Sequence, residues 1–226
     1  MIERLLPSAV VAVEAFTDRP GESPFPGEED LIANAVDGRR REFITARRCA
    51  REALRRLGHP GVPIRRGERR EPLWPAGVVG SITHCAGYRA AAVASAAEVA
   101  SVGIDAEPHG PLPDGVLRAV VAPGDAEHVA ELARREPGRH WDRVLFSAKE
   151  SVYKAWFPLT GRWLGFEDAS LTFDPAAGSF TARLHVSGAR RDGGPELTGL
   201  SGCFLVADGL LLTAVTVRDP LRPGSG

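Results

Sequence analysis

The chain has 226 residues, of which 43% are hydrophobic and 25% are charged, and its formal net charge is −1 at pH 7. This composition is typical of a globular protein with a sizeable core, and the near-zero net charge argues against a nucleic acid or a membrane surface as partner. No apolar run reaches the roughly 18 residues of a membrane span, the first residues lack a signal-peptide pattern, and three cysteines without metal-ligand spacing favour a cytoplasmic protein.

The first half of the chain is predicted to contain one long helix and three strands. Apolar residues at the 4-3-4-3 spacing of one helical face predict a helix over residues 39–57, after an acidic, proline-rich loop. Arg47 interrupts the apolar stripe, and Arg39 lies close to the same side two turns earlier. Strands are predicted over residues 78–83, 89–97 and 101–105.

The second half is predicted to contain two helices, followed by strands. The helices cover residues 125–135 and 139–157, after a loop with three prolines at 108–113. The longer helix has an apolar stripe formed by Trp141, Leu145, Ala148, Val152 and Ala155. The final strands cover residues 170–174, 179–186 and 202–217, the last with a hairpin turn at Asp208-Gly209. Both halves thus combine helices with strands, which predicts an α+β protein with a site at the junction of its halves.

Two carboxylates end the third predicted strand. Asp105 and Glu107 are two residues apart, so their side chains point to the same face of the strand. Close carboxylates repel each other unless a positive group lies between them, and carboxylate oxygens suit Mg²⁺. The alternative is an ordinary solvated strand end. On either interpretation we expect replacement of Asp105 by Ala to leave the fold intact.

Lysine is confined to one short segment of the chain. Of the 28 Lys and Arg residues, only Lys149 and Lys154 are lysines, and both lie in the longer C-terminal helix. Lys is a compact charge with a pKa that its surroundings can lower, whereas Arg is a planar, permanent cation. Glu150 and Lys154 are neighbours on the helix. They form either a surface ion pair or part of a site, with Glu150 as a third metal ligand, Lys154 on a phosphate and Lys149 on the flank.

Two further groups of residues can bind an anion. Ser81 and His84 follow a glycine near the end of the first predicted strand, where hydroxyl, imidazole and backbone donors come together. Arg39, Arg47 and Arg66 can gather around a phosphate, since guanidinium groups bind phosphate oxygens in pairs. The alternatives are a structural histidine, solvated arginines and, less favoured, a Ser–His nucleophile pair.

Three segments resemble the sequence blocks of the 4′-phosphopantetheinyl transferases, and specifically the larger monomeric type of actinobacteria and of enterobactin synthesis. They are residues 74–85, Gly-Ile-Asp-Ala-Glu at 103–107 and Lys-Glu-Ser-Val-Tyr-Lys at 149–154. The resemblance implies two similar α+β subdomains related by a pseudo-twofold axis. Residues 1–102 would bind the 3′-phosphate of coenzyme A, and residues 103–226 would carry the metal and the catalytic residues.

The resemblance also implies a role for each matching residue. Asp105, Glu107 and Glu150 would bind Mg²⁺, and Lys154 would contact the α-phosphate of coenzyme A and, with Glu150, act in catalysis. The remaining coenzyme A contacts would be Arg39, Arg47, Arg66, Ser81, His84 and Lys149.

The implied reaction uses coenzyme A as co-substrate. A serine of an acyl or peptidyl carrier protein, from a polyketide, nonribosomal peptide or fatty-acid synthase, attacks the β-phosphorus, and 3′,5′-ADP leaves. Either Glu150 or a metal-bound water would accept the serine proton. The implied protein is a cytoplasmic monomer of secondary metabolism that binds neither nucleic acid nor membrane.

Two other functions agree with part of the pattern. A metal-dependent phosphodiesterase or nuclease also uses Asp-x-Glu with a later Glu and Lys, although the neutral net charge argues against a nucleic-acid substrate. A non-catalytic module that binds coenzyme A or a carrier protein would not need all three acidic residues and Lys154.

Overall fold

The computed structural model describes residues 1–218 and is an α+β fold with two antiparallel sheets, which confirms the predicted class. Its strands are β1 (Val10–Ala15), β2 (Val78–Cys85), β3 (Tyr88–Ser95), β4 (Ser101–Pro108), β5 (Ala169–Asp174), β6 (Ser179–Leu184), β7 (Gly199–Ala207) and β8 (Leu210–Val217). Its α-helices are α1 (Asp37–Arg56), α2 (Val116–Val120), α3 (Asp125–Arg135) and α4 (Trp141–Thr160). The strand order is β1-β3-β2 in one sheet and β4-β8-β7-β6-β5 in the other.

Helix α1 covers one face of the three-stranded sheet. Its predicted stripe is confirmed, because Phe43, Ala50 and Leu54 are buried together with Arg47. Ala50 and Leu54 pack against β3 residues such as Ala91 and Val93. Phe43 instead packs with Ile32 and Ile44. The helix therefore carries a guanidinium group into the edge of a hydrophobic core.

Helix α4 covers one face of the five-stranded sheet. All five residues of its predicted apolar stripe are buried, and they share a core with residues of β5 to β8. The helix extends beyond the predicted end through Pro158 and stops at Gly161, whose φ of 67° is in the left-handed region that a glycine adopts freely. Each sheet thus has one 20-residue helix packed on it.

The two sheets meet where the edge strands β2 and β4 lie side by side. The Ser81 hydroxyl accepts a hydrogen bond from the Ile104 amide at 3.1 Å, and the Thr83 hydroxyl accepts one from the Ala106 amide at 3.0 Å. The two pairs advance in the same direction along both strands, so β2 and β4 run parallel here. Side-chain hydroxyls thus satisfy part of an exposed strand edge and join the two halves of the molecule.

The sequence patterns missed β1, α2 and three short 3-10 turns, whereas the hairpin turn between β7 and β8 at Asp208-Gly209 is confirmed. Strand β4 also continues to Pro108, beyond the predicted end at residue 105. The subdomain limits 1–102 and 103–226 stay a prediction, and residues 219–226 of the second lie outside the described residues. No helix within residues 1–218 is long and apolar enough to cross a membrane.

Candidate active site

A glycine brings α4 close to β4 at the site. A Cβ atom at Gly103 would lie 2.0 Å from the Ser151 carbonyl oxygen, so any side chain here would push the helix off the strand. The close approach sets one face of α4 over the end of β4. The residues on that face follow a 4-3-4 spacing and are Arg143, Ser147, Glu150 and Lys154.

Asp105 is buried and fully engaged in this contact. One carboxylate oxygen accepts hydrogen bonds from Lys154 Nζ at 2.8 Å and from Thr83 Oγ1 at 3.3 Å, and the other accepts one from Ser147 Oγ at 2.8 Å. Its residue surface is 5% exposed. The alternative of a solvated strand end is therefore wrong for Asp105. Asp105→Ala would remove an acceptor from these three groups, although Lys154 keeps the Ile104 carbonyl and Ser147 keeps Thr213 as partners. That the variant leaves the fold intact stays a prediction.

Glu107 and Glu150 complete an acidic cluster with Asp105. Arg143 donates to Glu107 at 2.9 Å, yet burial and the Asp105 charge together hold the pKa of Glu107 above its usual value. Burial also raises the pKa of Glu150, which Lys154 opposes and which the charges of Asp105 and Glu107 increase. The three predicted metal ligands therefore come from two remote segments, and the Asp105 charge lies close enough to raise the pKa of both Glu107 and Glu150.

The donor set of this cluster fits a hard divalent cation, because it consists of three carboxylates with excess negative charge. The arrangement is not that of a closed metal site, however. Within residues 1–218 no three His, Cys, Asp or Glu side chains are grouped as metal ligands. Lys154 and Arg143 instead hold oxygens of Asp105 and Glu107. Metal binding to these three residues stays a prediction.

Lys154 lies between the acidic cluster and the main cavity, which is a cavity of about 430 Å³ between the two halves of the molecule. Its Nζ donates to Asp105 and to the Ile104 carbonyl at 3.0 Å, which leaves one of its three N–H donors unassigned. The side chain is 26% exposed and contributes to the lining of the cavity, as Glu150 also does. Lys154 thus pairs with Asp105 across the contact between α4 and β4. This differs from the predicted alternative, in which Lys154 pairs with Glu150 on the helix surface.

A cationic cluster lies on the other side of the β2–β4 contact. Arg39 donates to the His84 ring and lies 3.3 Å from Glu42, which is in turn 3.4 Å from His84. Burial and the Arg39 charge lower the pKa of His84 to about 4. The imidazole is therefore neutral at physiological pH, and an added anion would favour its protonation.

Arg47 and Arg66 extend this cluster. Both guanidinium groups lie over the Phe43 ring, at 3.6 Å and 5.0 Å from its centre. Arg47 Nε donates to the Ile64 carbonyl at 3.0 Å. Burial lowers the pKa of Arg47 to about 10, and burial together with the charge of Arg39 lowers that of Arg66. The predicted set of arginines and His84 is thus brought together.

The main cavity, of about 430 Å³, lies between the two halves, next to Glu150 and Lys154. Trp74, Ser81 and Ile82 line it from the N-terminal side, and Glu150, Tyr153, Lys154 and Phe157 line it from α4. The oxygen of Ser81 already accepts the Ile104 amide, so its hydroxyl hydrogen is what it can offer to a ligand.

Lys149 lies apart from the other predicted site residues. Its ammonium group pairs with Asp125 at 2.6 Å and donates to the Phe166 carbonyl at 2.6 Å, and both side chains of the ion pair are almost fully buried. Since these partners belong to the core of the C-terminal half, the expectation that Lys149 contacts coenzyme A is corrected to a buried structural ion pair.

Sequence reasoning missed the residues that hold the acidic cluster in place. Arg143 binds Glu107, and Ser147 and Thr83 bind Asp105. A signal was present, because Arg143 and Ser147 share the face of α4 with Glu150 and Lys154. Glu42, which lies between Arg39 and His84, is one turn of α1 from Arg39 and could have been found in the same way.

Comparisons with known proteins find two family models and several relatives that the chain matches. Residues 27–94 match the family model described as 4′-phosphopantetheinyl transferase N-terminal domain, and residues 101–192 match that of the 4′-phosphopantetheinyl transferase superfamily. The chain is 55% identical to 4′-phosphopantetheinyl transferase Svp of Streptomyces mobaraensis, over 97% of this chain and 90% of the relative. It is 50% identical to Npt of Nocardia iowensis, over 95% and 99%, and 50% identical to PptT of Mycobacterium tuberculosis, over 96% and 98%. Both relatives are also 4′-phosphopantetheinyl transferases.

Proposed function

Because the chain belongs to the 4′-phosphopantetheinyl transferase family, and so transfers phosphopantetheine from coenzyme A to carrier proteins, we propose that its two charged clusters act on one coenzyme A molecule. The observation that carries the proposal is the meeting of β2 and β4. This contact sets the cations of the N-terminal half beside the carboxylates of the C-terminal half, with Lys154 between them.

The cationic cluster binds the 3′-phosphate. Burial lowers the pKa of Arg47 and of Arg66, and the charge of Arg39 adds to both shifts, so the charged guanidinium groups repel one another. A phosphate reverses this repulsion and accepts several charge-assisted hydrogen bonds. His84 becomes protonated as the anion binds, since the phosphate opposes the effects that lower its pKa.

Asp105, Glu107 and Glu150 would hold Mg²⁺. The raised pKa values of Glu107 and Glu150 support this assignment, because a divalent cation offsets the burial and the carboxylate repulsion that raise them. The bound cation would supply neutralising charge for the coenzyme diphosphate. Arg143 and Ser147 keep the carboxylates oriented, so the ligands do not have to reorganise before they act.

Lys154 contacts the α-phosphate and stabilises the charge that develops on the leaving 3′,5′-ADP. Its compact ammonium group reaches from α4 to the end of β4, and its unassigned N–H donor is available to the phosphate. The longer guanidinium of an arginine could not keep the Asp105 and Ile104 contacts in the same space.

Glu150 accepts the proton of the attacking carrier serine. It lies at the cavity lining, where a carboxylate oxygen that does not bind the cation can take the proton. The serine oxygen then forms a bond to the β-phosphorus as the bond to the α-phosphate oxygen breaks. The aromatic cavity next to Glu150 accommodates an uncharged portion of the coenzyme.

A mass-spectrometric transfer assay tests the proposal. An apo carrier protein is incubated with coenzyme A, Mg²⁺ and enzyme, and we expect a phosphopantetheine adduct on its serine together with 3′,5′-ADP. An Asp105→Asn variant, which keeps the size of the side chain, should form little adduct. Wild-type enzyme that binds coenzyme A but leaves every carrier unmodified would support the non-catalytic binding module. Cleavage of added nucleic acid would support the phosphodiesterase.

A further inference from the structure

The buried ion pair between Asp125 and Lys149 joins four segments of the C-terminal half. Asp125 accepts hydrogen bonds from the Ala122 amide before α3 and from the Leu171 amide of β5, each at 2.8 Å. Lys149 of α4 binds both the Asp125 carboxylate and the Phe166 carbonyl. The side chains of the pair are 2% and 0% exposed. Burial lowers the pKa of Lys149, while Asp125 opposes that shift and keeps a charged partner beside the ammonium.

The Phe166 carbonyl belongs to a segment that forms an aromatic wall beside Glu150. Trp163, Leu164, Gly165 and Phe166 line a second cavity, of about 120 Å³, whose other wall is the Lys149–Tyr153 part of α4. Trp163 lies against Tyr153 with ring centres 5.0 Å apart, and Phe166 lies against Phe146 at 5.9 Å. Glu150 borders both this cavity and the main one.

We propose that Lys149 is a positioning residue that fixes the 163–166 wall against α4 and thereby sets the shape of the pocket beside Glu150. The inference rests on the proposed function, because the pocket matters only if Glu150 takes part in transfer. The lysine donates one hydrogen bond to the wall and is itself held by Asp125, so the wall is linked to α3, α4 and β5 at once. An arginine is too large for this enclosed site, which accounts for one of the two lysines in a chain that otherwise uses arginine.

The two possible roles of Lys149, positioning of the wall and direct contact with coenzyme A, predict different effects of its loss. A phosphate contact would make coenzyme A binding about tenfold or more weaker when lost, since a hydrogen bond to a charged group is involved. A positioning role predicts a dissociation constant within about threefold of wild type, together with a turnover number about tenfold lower because the pocket is misplaced.

The test uses Lys149→Met, the double variant with Asp125→Asn, and Lys154→Met as a matched control on the same helix. The double variant removes both charges and guards against an unpaired buried carboxylate that prevents folding. Quenching of tryptophan fluorescence by iodide measures how accessible Trp163 is, and so reports on the position of the 163–166 wall. The signal of Trp163 is obtained by subtracting that of the same proteins carrying Trp163→Phe. Calorimetry with coenzyme A and steady-state transfer kinetics complete the set.

We expect Lys149→Met, or the double variant if the single one does not fold, to change the quenching of Trp163 and to lower turnover with coenzyme A affinity retained. Lys154→Met should lower turnover without changing the quenching. Unchanged quenching in the Lys149 variants would overturn the inference, as would a tenfold loss of coenzyme A affinity. Quenching and calorimetry need no transfer, so a wild-type enzyme that fails to transfer would contradict the proposed function without deciding the role of Lys149.

Discussion

The two sides of the β2–β4 contact carry charges of opposite sign, and on each side charges of the same sign repel one another. On the N-terminal side, burial and the charges of neighbouring guanidinium groups lower the pKa of Arg47, Arg66 and His84. On the C-terminal side, buried carboxylates raise the pKa of neighbouring acids. The N-terminal cations gather around an aromatic ring, whereas the carboxylates are held by Lys154, Arg143 and hydroxyl groups.

This difference indicates which kind of ligand would stabilise each side. Repelling cations are stabilised by a polyanion, and repelling carboxylates by a cation. In the proposed arrangement, coenzyme A would supply a 3′-phosphate to one side and a diphosphate, together with its counterion, to the other. Binding of these ligands would then offset the cost in stability of each cluster.

The largest expected effect comes from breaking the acidic side. Asp105→Asn keeps the size of the side chain and one oxygen acceptor, for either Ser147 or Thr83, but removes the negative charge. We therefore expect transfer to fall at least about 100-fold, as for loss of a metal ligand. Chelation of Mg²⁺ should have the same result in wild type. Transfer rates and thermal melting measure activity and folding separately.

Asp142→Asn is the matched control for this substitution, because Asp142 is a carboxylate near the start of α4 that binds the Leu112 amide outside the cluster. It should retain most of the activity. Transfer by Asp105→Asn at more than about a tenth of the wild-type rate would contradict the metal assignment.

The next effect concerns the group between the two sides. Lys154→Arg keeps the charge but not the compact ammonium, and we expect turnover to fall about 100-fold, as when a donor to a developing charge is misplaced. Coenzyme A affinity should change less, because charge on the leaving phosphate is greatest in the transition state. Separate determination of kcat and of the coenzyme dissociation constant checks this. Equal turnover in the two proteins would remove Lys154 from the reaction.

A smaller effect should come from the cationic side. The wild type should prefer coenzyme A over 3′-dephospho-coenzyme A by about 10²- to 10³-fold, for two or three charge-assisted hydrogen bonds that are partly additive. Arg47→Ala should reduce this ratio about tenfold through weaker coenzyme A binding. Calorimetry with both ligands measures it.

Arg48 offers a control on the same helix, since it pairs with Glu22 rather than with the cluster. Arg48→Ala should leave the ratio unchanged. If Arg47→Ala weakens both ligands equally, Arg47 holds the Ile64 loop in place and does not read the 3′-phosphate.

The smallest effect is a gain in stability. Since the folded state holds the pKa of Glu150 above its unfolded value, the folded protein binds more protons, and its free energy of unfolding falls as pH rises through that raised pKa. Glu150→Gln removes this loss, so it should be more stable than wild type at pH 7 by about 0.5–2 kcal/mol, the usual gain at a strained functional position. Denaturant unfolding at pH 4 and pH 7 should show the two proteins converging at the lower pH, while the variant is inactive. A variant less stable than wild type at pH 7 would show that the ionised Glu150 carboxylate does not destabilise the folded protein.

Local patterns were enough to predict much of the fold. The stripes of α1 and α4 are visible in sequence because each helix buries a single face, and α3 has the predicted bounds. Strand β1 was missed because its run Val-Val-Ala-Val-Glu-Ala does not alternate, and its existence depends on pairing with β3.

The candidate site was predictable by residue type but not by contact. Lys149 and Lys154 share one helix and similar neighbours, and only the approach of α4 to β4 at Gly103 decides which of them faces the carboxylates. Asp105 was expected at an open strand end, because the sequence does not reveal that two edge strands meet there.

The most direct test of the account compares coenzyme A with 3′,5′-ADP, which keeps the 3′-phosphate but lacks the diphosphate. Calorimetry of both ligands, with and without Mg²⁺, is applied to wild type, Arg47→Ala and Asp105→Asn. 3′,5′-ADP also keeps the α-phosphate assigned to Lys154, which pairs with Asp105. If each side binds its own part of one coenzyme, Arg47→Ala weakens both ligands similarly, whereas Mg²⁺ and Asp105 affect coenzyme A more strongly than 3′,5′-ADP. Binding of 3′,5′-ADP that depends on Mg²⁺ and Asp105 as strongly as coenzyme A does would contradict the division of labour between the two clusters.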